Sequence, residues 1–433
     1  LWLTETAGVD HVPLQLSDDG GTVTLLDPGR RVVDTLTWPA LLDDSAYGRF
    51  PSGTPATAVT IFTTPGVENP VDPGIFTDPS DGLFLTDRLL RIDIEALQPA
   101  IAALFDEPYE YVPAAFVFDG MRFDVGLHLK GQAGSLRDPD EKAAWKIDMD
   151  WHVPGQRLRG LEKLTLNNMV QDASCIHETL AYELLRESDS PAPRTSWAEV
   201  YLNGEYRGLY LHVESEDDQF LERWFADPEG NLYEGEYGQD LTASWIDDLE
   251  IDEAGANDVA DRSDLEALAT LLARQPTEAE VPALEALVDV DRTVTAFAVE
   301  VVLGHWDGYV AYPNNWRVYH DPSTDQFTLL VSGVDQTFDS ELALYTGSGD
   351  LFVWMLAIPS IRDRYSIALW DAADRLAALD VPAKAAAYEA LILASFATDP
   401  YREATVADMQ DEIADTVAFT ADRPADVIGD LVP

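Results

Sequence analysis

The spacing of hydrophobic residues along the chain changes from a strand pattern to a helix pattern. Residues 1–70 contain short β-branched runs, among them GTVTLLD and RVVDTLTW, separated by turns rich in Gly, Pro and Asp. Runs of this kind, bounded by turn residues, predict β-strands. Residues 71–82 are dominated by Pro, Asp and Gly and are expected to form a linker.

A longer strand-rich segment begins near residue 83 and gives way to helices. Asp-Gly at 119–120 and Asn-Gly at 203–204 predict tight hairpin turns within it. The run DASCIHETLAYELLRES predicts a helix with Asp172 or Ser174 as its N-cap. An acidic, weakly patterned stretch at 247–263 is expected to be a loop, and helix patterns then continue to the C-terminus.

The order of these elements predicts an α+β fold. A β domain at 1–70 would precede a strand-rich lobe at 83–240 and a helix-rich lobe at 241–433. A length of 433 residues and a hydrophobic fraction of 46% are sufficient for two or three domains. No apolar run approaches the roughly 18 residues of a membrane span, and no signal-peptide pattern opens the chain.

The charge is strongly negative, with 79 acidic residues against 27 basic ones and a formal net charge of −52. Such a field repels nucleic acids and anionic membranes, so neither is an expected partner. An acidic surface is typical of proteins that work outside the cell or in high salt, and a surface that collects divalent cations is the alternative. The single cysteine, Cys175, excludes an intrachain disulfide and is expected to be a buried filler.

Lysine is rare in the chain and concentrated in one region. Lys130, Lys142 and Lys146 are three of only five lysines, and they lie in the strand-rich segment VGLHLKGQAGSLRDPDEKAAWKIDMD. Ammonium groups on rigid strands suit an anion such as a phosphate. The alternative is a set of surface lysines that pair with the neighbouring acidic residues.

Two further segments carry polar residues in an apolar context. WDGYVAYPNNW contains Asp307, Asn314 and Asn315, and Asp335 follows an apolar strand in SGVDQTF. A base, a metal-binding amide and a second carboxylate are the parts that phosphoryl transfer requires. The alternative is two capping aspartates and a turn-forming Asn pair. Zinc is not expected, since one Cys and no His pair are available.

Other catalytic motifs are missing from the sequence. It has no GxxxxGK[ST] loop, no HExxH and no GxSxG. Hydrolysis by a pair of carboxylates remains open, because acidic residues are abundant.

Taken together, these segments resemble the spore-coat-protein-H (CotH) kinase family. The resemblance rests on VGLHLKGQAGSLRD, KAAWKIDMD, LEKLTLNNMVQDAS and HETLAYELL, followed in order by GHWDGYVAYPNNWRVYHDP and GVDQTF. It implies an atypical, two-lobed protein-kinase-like fold that uses ATP and Mg²⁺ (or Mn²⁺) to phosphorylate Ser or Thr of a protein. Residues 1–70 resemble the later part of a lamin-tail domain, an immunoglobulin-like β-sandwich.

The resemblance also implies roles for residues of the second and third segments. Asp307 would be the base that orients the hydroxyl, and Asp335 would be the main metal-binding carboxylate. Asn315 would be a second metal ligand, with Asn314 as the alternative.

Further roles fall on the strand-rich lobe. Lys142 and Lys146 both match the family's lysine pattern, and Lys146 is favoured as the phosphate contact because it lies within a strand. Glu178 would pair with that lysine, Glu214 would line the adenine pocket, and Ser135 would donate to the phosphates. The family often has Gly after DQTF, where this chain has Asp339, which puts full activity in question.

The expected function is therefore that of a secreted or cell-surface protein kinase. Two alternatives stay open: a pseudokinase or adhesion module that keeps only the fold, and an enzyme that transfers the adenylyl group of ATP. The sequence leaves the oligomeric state open, with a monomer as the default.

Overall fold

The computed structural model describes residues 17, 20–26, 28–40, 46–49, 56–60, 78–132, 134–253 and 262–431. Before residue 61 it contains two antiparallel hairpins, whose strands are β1 (Gly21–Leu26) with β2 (Val32–Trp38), and β3 (Ala46–Arg49) with β4 (Thr57–Thr60). The strand prediction holds for these residues. Their assignment to a partial lamin-tail sandwich stays a prediction, and its remaining residues lie outside the described ones.

Seven strands form a closed barrel in the order β10-β11-β9-β8-β7-β6-β5. Their bounds are β5 (Leu89–Ala96), β6 (Val112–Phe118), β7 (Met121–Lys130), β8 (Ala144–Asp148), β9 (Lys163–Asn167), β10 (Thr195–Leu202) and β11 (Glu205–Glu214). Neighbouring strands are antiparallel except for β10 and β5, which are parallel and close the barrel. A 3₁₀-helix at Pro79–Leu83 precedes them and buries Leu83 in the barrel core, so the predicted linker ends in packed structure.

Strand alternation decides which side chains fill the barrel. Leu127 and Leu129 of β7, with Trp145 and Ile147 of β8, belong to the interior cluster. Because successive side chains point to opposite faces of a strand, Lys130 lies on the outer face of the barrel. The same alternation places Lys146 on that face, on the neighbouring strand.

The two predicted hairpin turns are present. Asp119 and Gly120 join β6 to β7, and Asn203 and Gly204 join β10 to β11. All four residues have positive φ, between 48° and 80°, as the two-residue hairpin turn requires.

Helices and a second sheet form the remainder. The helices are α1 (Gln98–Ala103), α2 (His177–Glu187), α3 (Asp218–Trp224), α4 (Ser263–Leu272), α5 (Val281–Leu287), α6 (Val290–Leu303), α7 (Asp350–Leu356), α8 (Pro359–Ala378), α9 (Val381–Thr398) and α10 (Val406–Leu431). The antiparallel sheet has the order β13-β12-β14-β15, with β12 (Leu232–Gly235), β13 (Glu250–Glu253), β14 (Trp316–Asp321) and β15 (Gln326–Val331).

Two sequence predictions need correction here. Residues 250–253 of the expected acidic loop form β13, which is paired to β12. Helix α2 begins at His177, later than the predicted N-caps, but Asp172 still serves its first turn because its Oδ2 accepts a hydrogen bond from His177 N at 2.9 Å.

The larger of the two main cores joins the helices to the outer face of the barrel. Trp197 of β10 and Leu211 of β11 belong to the same buried cluster as Phe297 of α6 and Tyr365 of α8. The chain segments that carry the candidate site are therefore supported by one continuous core. Among the described residues, no helix is both long enough and apolar enough to cross a membrane.

Candidate active site

The loop that carries Asp307 begins where α6 ends. Gly304 closes the helix with φ +68°, and a Cβ there would lie 2.1 Å from the carbonyl oxygen of Ser340, so only glycine fits. Beyond it, the buried Glu300 carboxylate accepts hydrogen bonds from Tyr309 N at 3.3 Å and Val310 N at 2.8 Å. Glu300 thus fixes the backbone of the two residues, Tyr309 and Val310, that follow shortly after Asp307.

The Asp307 carboxylate accepts hydrogen bonds from three amide side chains. Asn314 Nδ2 lies 3.0 Å from Oδ1, while Asn315 Nδ2 lies 3.1 Å and Gln336 Nε2 3.4 Å from Oδ2. Asn315 adopts φ +50°, which Asn tolerates better than most residues. Its Oδ1 faces Gly333, where a Cβ would lie only 2.5 Å away. Glycine at 333 therefore lets the backbone approach this amide oxygen closely, where any other residue would collide with it.

Aromatic residues around Asp307 serve two purposes. Tyr309 and Trp316 are fully buried, and the Tyr309 hydroxyl donates to Asp240 Oδ1 at 2.6 Å. Trp306 and Tyr312 are exposed by 41% and 40%. The first pair anchors the loop in the core, whereas the second pair lies at the surface beside the carboxylate.

Asp335 follows β15 and lies within electrostatic reach of Asp307. Burial raises the pKa of the Asp335 carboxyl to about 6, with further increases from Asp172 and Asp307, while the Lys130 ammonium opposes the rise. Glu178 on α2 behaves in the same way. Burial and then Asp335 raise its pKa to about 8, and Lys130 again opposes. The structure therefore gathers several carboxylates around one lysine.

Lys130 belongs to the lysine-rich segment, but the family resemblance gives it no individual role. It ends β7 on the outer face of the barrel, and its ammonium makes no hydrogen bond or ion pair with any residue that the structure describes. Its signal in the sequence was the strand pattern VGLHLK directly before a glycine-containing loop. Because side chains alternate between the two faces of each strand, pairing the two strands in register would have placed Lys130 on the same face as Lys146.

Lys142 lies in a different environment from the one predicted. Its ammonium is 2.5 Å from Asp399 Oδ2 and donates to Leu209 O at 2.8 Å, and its side chain is 4% exposed. It also lies over the Tyr210 ring, 4.0 Å from the centroid. No described contact joins Lys142 to Asp307 or Asp335, so its position is that of a buried ion-pair partner.

Lys146 lies on the same outer face, diagonally across from Lys130 on the neighbouring strand, and interacts with a different set of acidic residues. Burial raises the pKa of Asp252, but the charges of Arg317 and then Lys146 lower it below its usual value. The charge of Lys146 also lowers the pKa of Glu216 and Glu250, against the burial that raises both. It forms no ion pair or hydrogen bond with the described residues. The structure thus places Lys130, and not Lys146, beside Glu178 and Asp335.

The predicted phosphate-covering loop is fixed at both ends. Ser135 Oγ accepts a hydrogen bond from Gln132 N at 3.3 Å, and Ser135 O accepts one from Asn168 Nδ2 at 2.9 Å. The adjoining Arg137 pairs with Glu403 at 2.5 Å. The loop is therefore tied to the segment between α9 and α10.

Glu214 at the end of β11 is occupied by two arginines. Its Oε1 lies 2.6 Å from Arg194 Nη2, and its Oε2 accepts from Arg223. The carboxylate is 1% exposed. Through these ion pairs Glu214 stabilises the junction of the barrel and α3. Its predicted position beside the adenine remains a proposal.

The family model described as CotH kinase protein matches residues 127–427, well over half of the chain. The chain belongs to this family. In Bacillus subtilis (strain 168), the inner spore coat protein H is 24% identical over 247 residues, which are 55% of this chain and 64% of the relative. The chain therefore spans less than two thirds of the length of that curated CotH protein.

Two solved structures show weaker similarity to this CotH family member. A chain of the Shewanella oneidensis MR-1 toxin–antitoxin complex of HipA, HipB and operator DNA is 13% identical with a TM-score of 0.33, covering 70% of this chain and 66% of that one. The Helicobacter pylori proinflammatory kinase CtkA is 10% identical with a TM-score of 0.30, covering 65% and 90%. These values are too low to support a statement about fold or function.

Asp339 lies after DQTF, at the position where the family resemblance predicts glycine. Its side chain is exposed, and the positive φ in this segment, +65°, belongs to Phe338. No described contact joins Asp339 to Asp307 or Asp335. Asp339 is therefore a surface charge near Glu412, outside the described contacts of Asp307.

The oxygen donors near Asp335 fit a hard divalent cation. A carboxylate and an amide oxygen are ligands that Mg²⁺ and Mn²⁺ accept. A cation would offset both the burial and the repulsion from Asp172 and Asp307 that raise the pKa of Asp335. A separate group, Asp148, Asp150 and Glu162, has oxygens within 4.8 Å of one another. Arg157 pairs with the last two, so its guanidinium already supplies positive charge there.

Proposed function

We propose that this CotH family member is a protein kinase that transfers the γ-phosphoryl group of ATP to a Ser or Thr hydroxyl. The observation that carries the proposal is the convergence of Asp307, Asn314, Asn315 and Gln336 through direct hydrogen bonds. Asp335 adjoins this group, and its carboxylate interacts electrostatically with Asp307 and Lys130. A purely structural cluster would not need Lys130, whose ammonium forms no ion pair with any described residue and acts on Asp335 and Glu178 only through its charge.

In this proposal Asp307 acts on the acceptor hydroxyl. Its carboxylate is held by amide donors and is partly exposed, so it can orient the hydroxyl and take its proton as the oxygen attacks the γ-phosphorus. The bond to the β–γ bridging oxygen breaks, and ADP leaves. Asn314 and Gln336 fix the rotamer of Asp307, so the orientation of the carboxylate precedes substrate binding.

Asp335 and Asn315 are proposed to hold Mg²⁺ or Mn²⁺. A bound cation would supply charge neutralisation for the phosphate oxygens. Asp335 would contribute a carboxylate oxygen and Asn315 its Oδ1, since the Nδ2 of that amide is used by Asp307. Asn314 remains the alternative amide ligand, although its described contact is with Asp307.

Lys130 is proposed as the phosphate contact in place of Lys142 and Lys146. It is the lysine whose charge acts on both Glu178 and Asp335. Glu178 would then position it, aided by Asn167, whose Nδ2 donates to the Glu178 carboxylate. Lys146 would lie further along the nucleotide, and Ser135 would approach the phosphates only through movement of its loop.

The proposal is tested with ATP labelled in either the γ or the α position, with Mg²⁺ or Mn²⁺ and a Ser/Thr-rich acceptor protein. Transfer of the γ label that is lost in Asp307→Ala and Asp335→Ala supports the kinase. Transfer of the α label would replace it with adenylyl transfer. If neither label is transferred and nucleotide does not raise the Tm, the chain acts as a binding module.

The substrate and the location are proposed from the family and from the charge of the chain. A protein acceptor and a secreted or cell-surface location follow from membership of the family and from the net charge of −52. The relative in Bacillus subtilis is a protein of the spore coat by its name. Cell fractionation with an antibody to the chain would test the location directly.

A further inference from the structure

His177 contacts the backbone of the segment that carries Asp335. It is the first residue of α2, its side chain is buried, and its Nδ1 lies 3.0 Å from the carbonyl oxygen of Asp335. A carbonyl oxygen can only accept, so Nδ1 is the protonated nitrogen that donates. Among the described residues, His177 supplies the one side-chain hydrogen bond to this carbonyl.

The imidazole ring is itself held on three sides. Its Nε2 lies 2.8 Å from Thr416 Oγ1 on α10, and Asp172 Oδ1 lies 3.5 Å from Nδ1. The ring of Phe338 packs against it at 5.3 Å between centroids. A ring fixed in this way presents its N–H in one direction, toward Asp335.

The segment that follows β15 has few other anchors. Phe338 N donates to Leu303 O at 2.8 Å, and Thr337 Oγ1 donates to Val334 O at 2.9 Å. Neither contact fixes the peptide plane between Asp335 and Gln336. That plane sets the direction of both side chains, and Gln336 Nε2 approaches Asp307 Oδ2.

We propose that His177 is a positioning residue of the phosphotransfer site. By holding the carbonyl of Asp335, it sets the Asp335 carboxylate toward the metal and the Gln336 amide toward Asp307. The expected effect of His177 on catalysis rests on the proposed function. Its expected effect on metal binding does not, because metal can bind whether or not phosphate is transferred. Through Thr416, it also connects α10 to the metal-binding segment.

Three substitutions separate this role from that of an ordinary buried histidine. The amide nitrogen of Asn occupies roughly the place of Nδ1, so His177→Asn keeps the donor to Asp335 and loses the contact with Thr416. The amide nitrogen of Gln occupies roughly the place of Nε2, so His177→Gln does the reverse. Thr416→Val removes only the outer contact and serves as a milder variant if the others fold poorly.

The measurement is the dissociation constant of Mn²⁺ by calorimetric titration in the presence of ADP, together with Tm, kcat and the KM values. We expect His177→Gln to weaken Mn²⁺ binding about 10- to 100-fold, the usual cost of losing a partner behind a metal ligand. His177→Asn should stay within about threefold of the wild type. Excess Mn²⁺ should restore kcat in His177→Gln, while the KM for the acceptor protein stays unchanged.

Equal Mn²⁺ affinity in His177→Gln and His177→Asn would overturn the inference. It would also be overturned if the loss of kcat in each variant were simply proportional to its loss of Tm. Wild-type protein that binds Mn²⁺ but transfers no phosphate would instead refute the proposed function. In that case the comparison of Mn²⁺ affinities still decides whether His177 positions Asp335.

Discussion

Replacing Lys142 by Met tests whether this lysine binds phosphate or maintains the fold. The ammonium lies 2.5 Å from Asp399 Oδ2, and the two side chains are 4% and 1% exposed. The same carboxylate oxygen accepts a hydrogen bond from Leu209 N at 3.0 Å, and Oδ1 accepts one from Tyr401 N at 2.8 Å. Lys142→Met would leave Asp399 charged and buried, with two backbone donors as its remaining partners.

The magnitude follows from that burial. Removing one partner of a buried ion pair costs about 3–5 kcal/mol of unfolding free energy, because the other charge loses its compensation. In a domain of this size, each kcal/mol lowers Tm by roughly 2–4 °C. We therefore expect a fall in Tm on the order of 10 °C.

The assay combines thermal unfolding with ATP kinetics measured well below the lowered Tm. Lys142→Met/Asp399→Asn should regain most of the lost stability, because it removes both charges together. Lys384→Met is the matched control, since Lys384 pairs with Glu183 at 2.7 Å in a more exposed position. That pair should be worth no more than about 1 kcal/mol.

If Lys142 is structural, the KM for ATP of the folded variant should stay within about threefold of the wild type, less than 1 kcal/mol. The opposite pattern would refute this reasoning. A variant with unchanged Tm and an ATP affinity lowered more than about tenfold would show that Lys142 leaves Asp399 to bind phosphate, as its sequence context predicted.

Three further outcomes are expected. Lys130→Met should lower kcat/KM for ATP by about 100-fold or more with little change in Tm, whereas Lys146→Met should lower kcat/KM less. Equal losses of kcat/KM in the two variants, measured by steady-state kinetics, would contradict the assignment of Lys130 as the phosphate contact. Asp335→Asn should weaken Mn²⁺ binding at least about tenfold, measured by titration with ADP present. Burial raises the pKa of Glu300 from 4.5 to about 8, so its contribution to stability is complete below pH 4.5 and is lost as pH rises through about 8. Glu300→Gln should remove that loss, which is on the order of 3 kcal/mol of unfolding free energy between pH 5 and pH 9. The measurement is urea unfolding at each pH. If the unfolding free energy of the variant still falls with pH as in the wild type, another group is responsible.

Local features of the chain were predictable because they depend on a few neighbouring residues. The hairpins at 119–120 and 203–204 require positive φ at two successive residues, and the sequence places Asp-Gly and Asn-Gly there. Asp307 and Asn315 are only eight positions apart, so a single loop was enough to bring their side chains together.

The choice among the lysines depended on information that strand patterns do not contain. Lys142 lies in the irregular segment between β7 and β8, where alternation gives no direction, and its partner Asp399 is 257 residues away. Closure of the barrel by the parallel pairing of β10 with β5 is equally long-range. His177 gave no signal at all, because its partner is a backbone carbonyl.

The pairing of the five lysines provides an independent argument for an anionic ligand. Lys142, Lys163 and Lys384 each form an ion pair with a carboxylate. Lys130 and Lys146 form none with the described residues, although acidic side chains outnumber basic ones almost three to one, 79 against 27. Both lie on the outer face of the barrel, on adjacent strands, where Lys130 is paired in register with Ala144, two residues before Lys146. Two lysines that form no ion pair with any described residue, side by side on one surface of so acidic a chain, support the proposal that a group with its own negative charge binds there, as the triphosphate of ATP would.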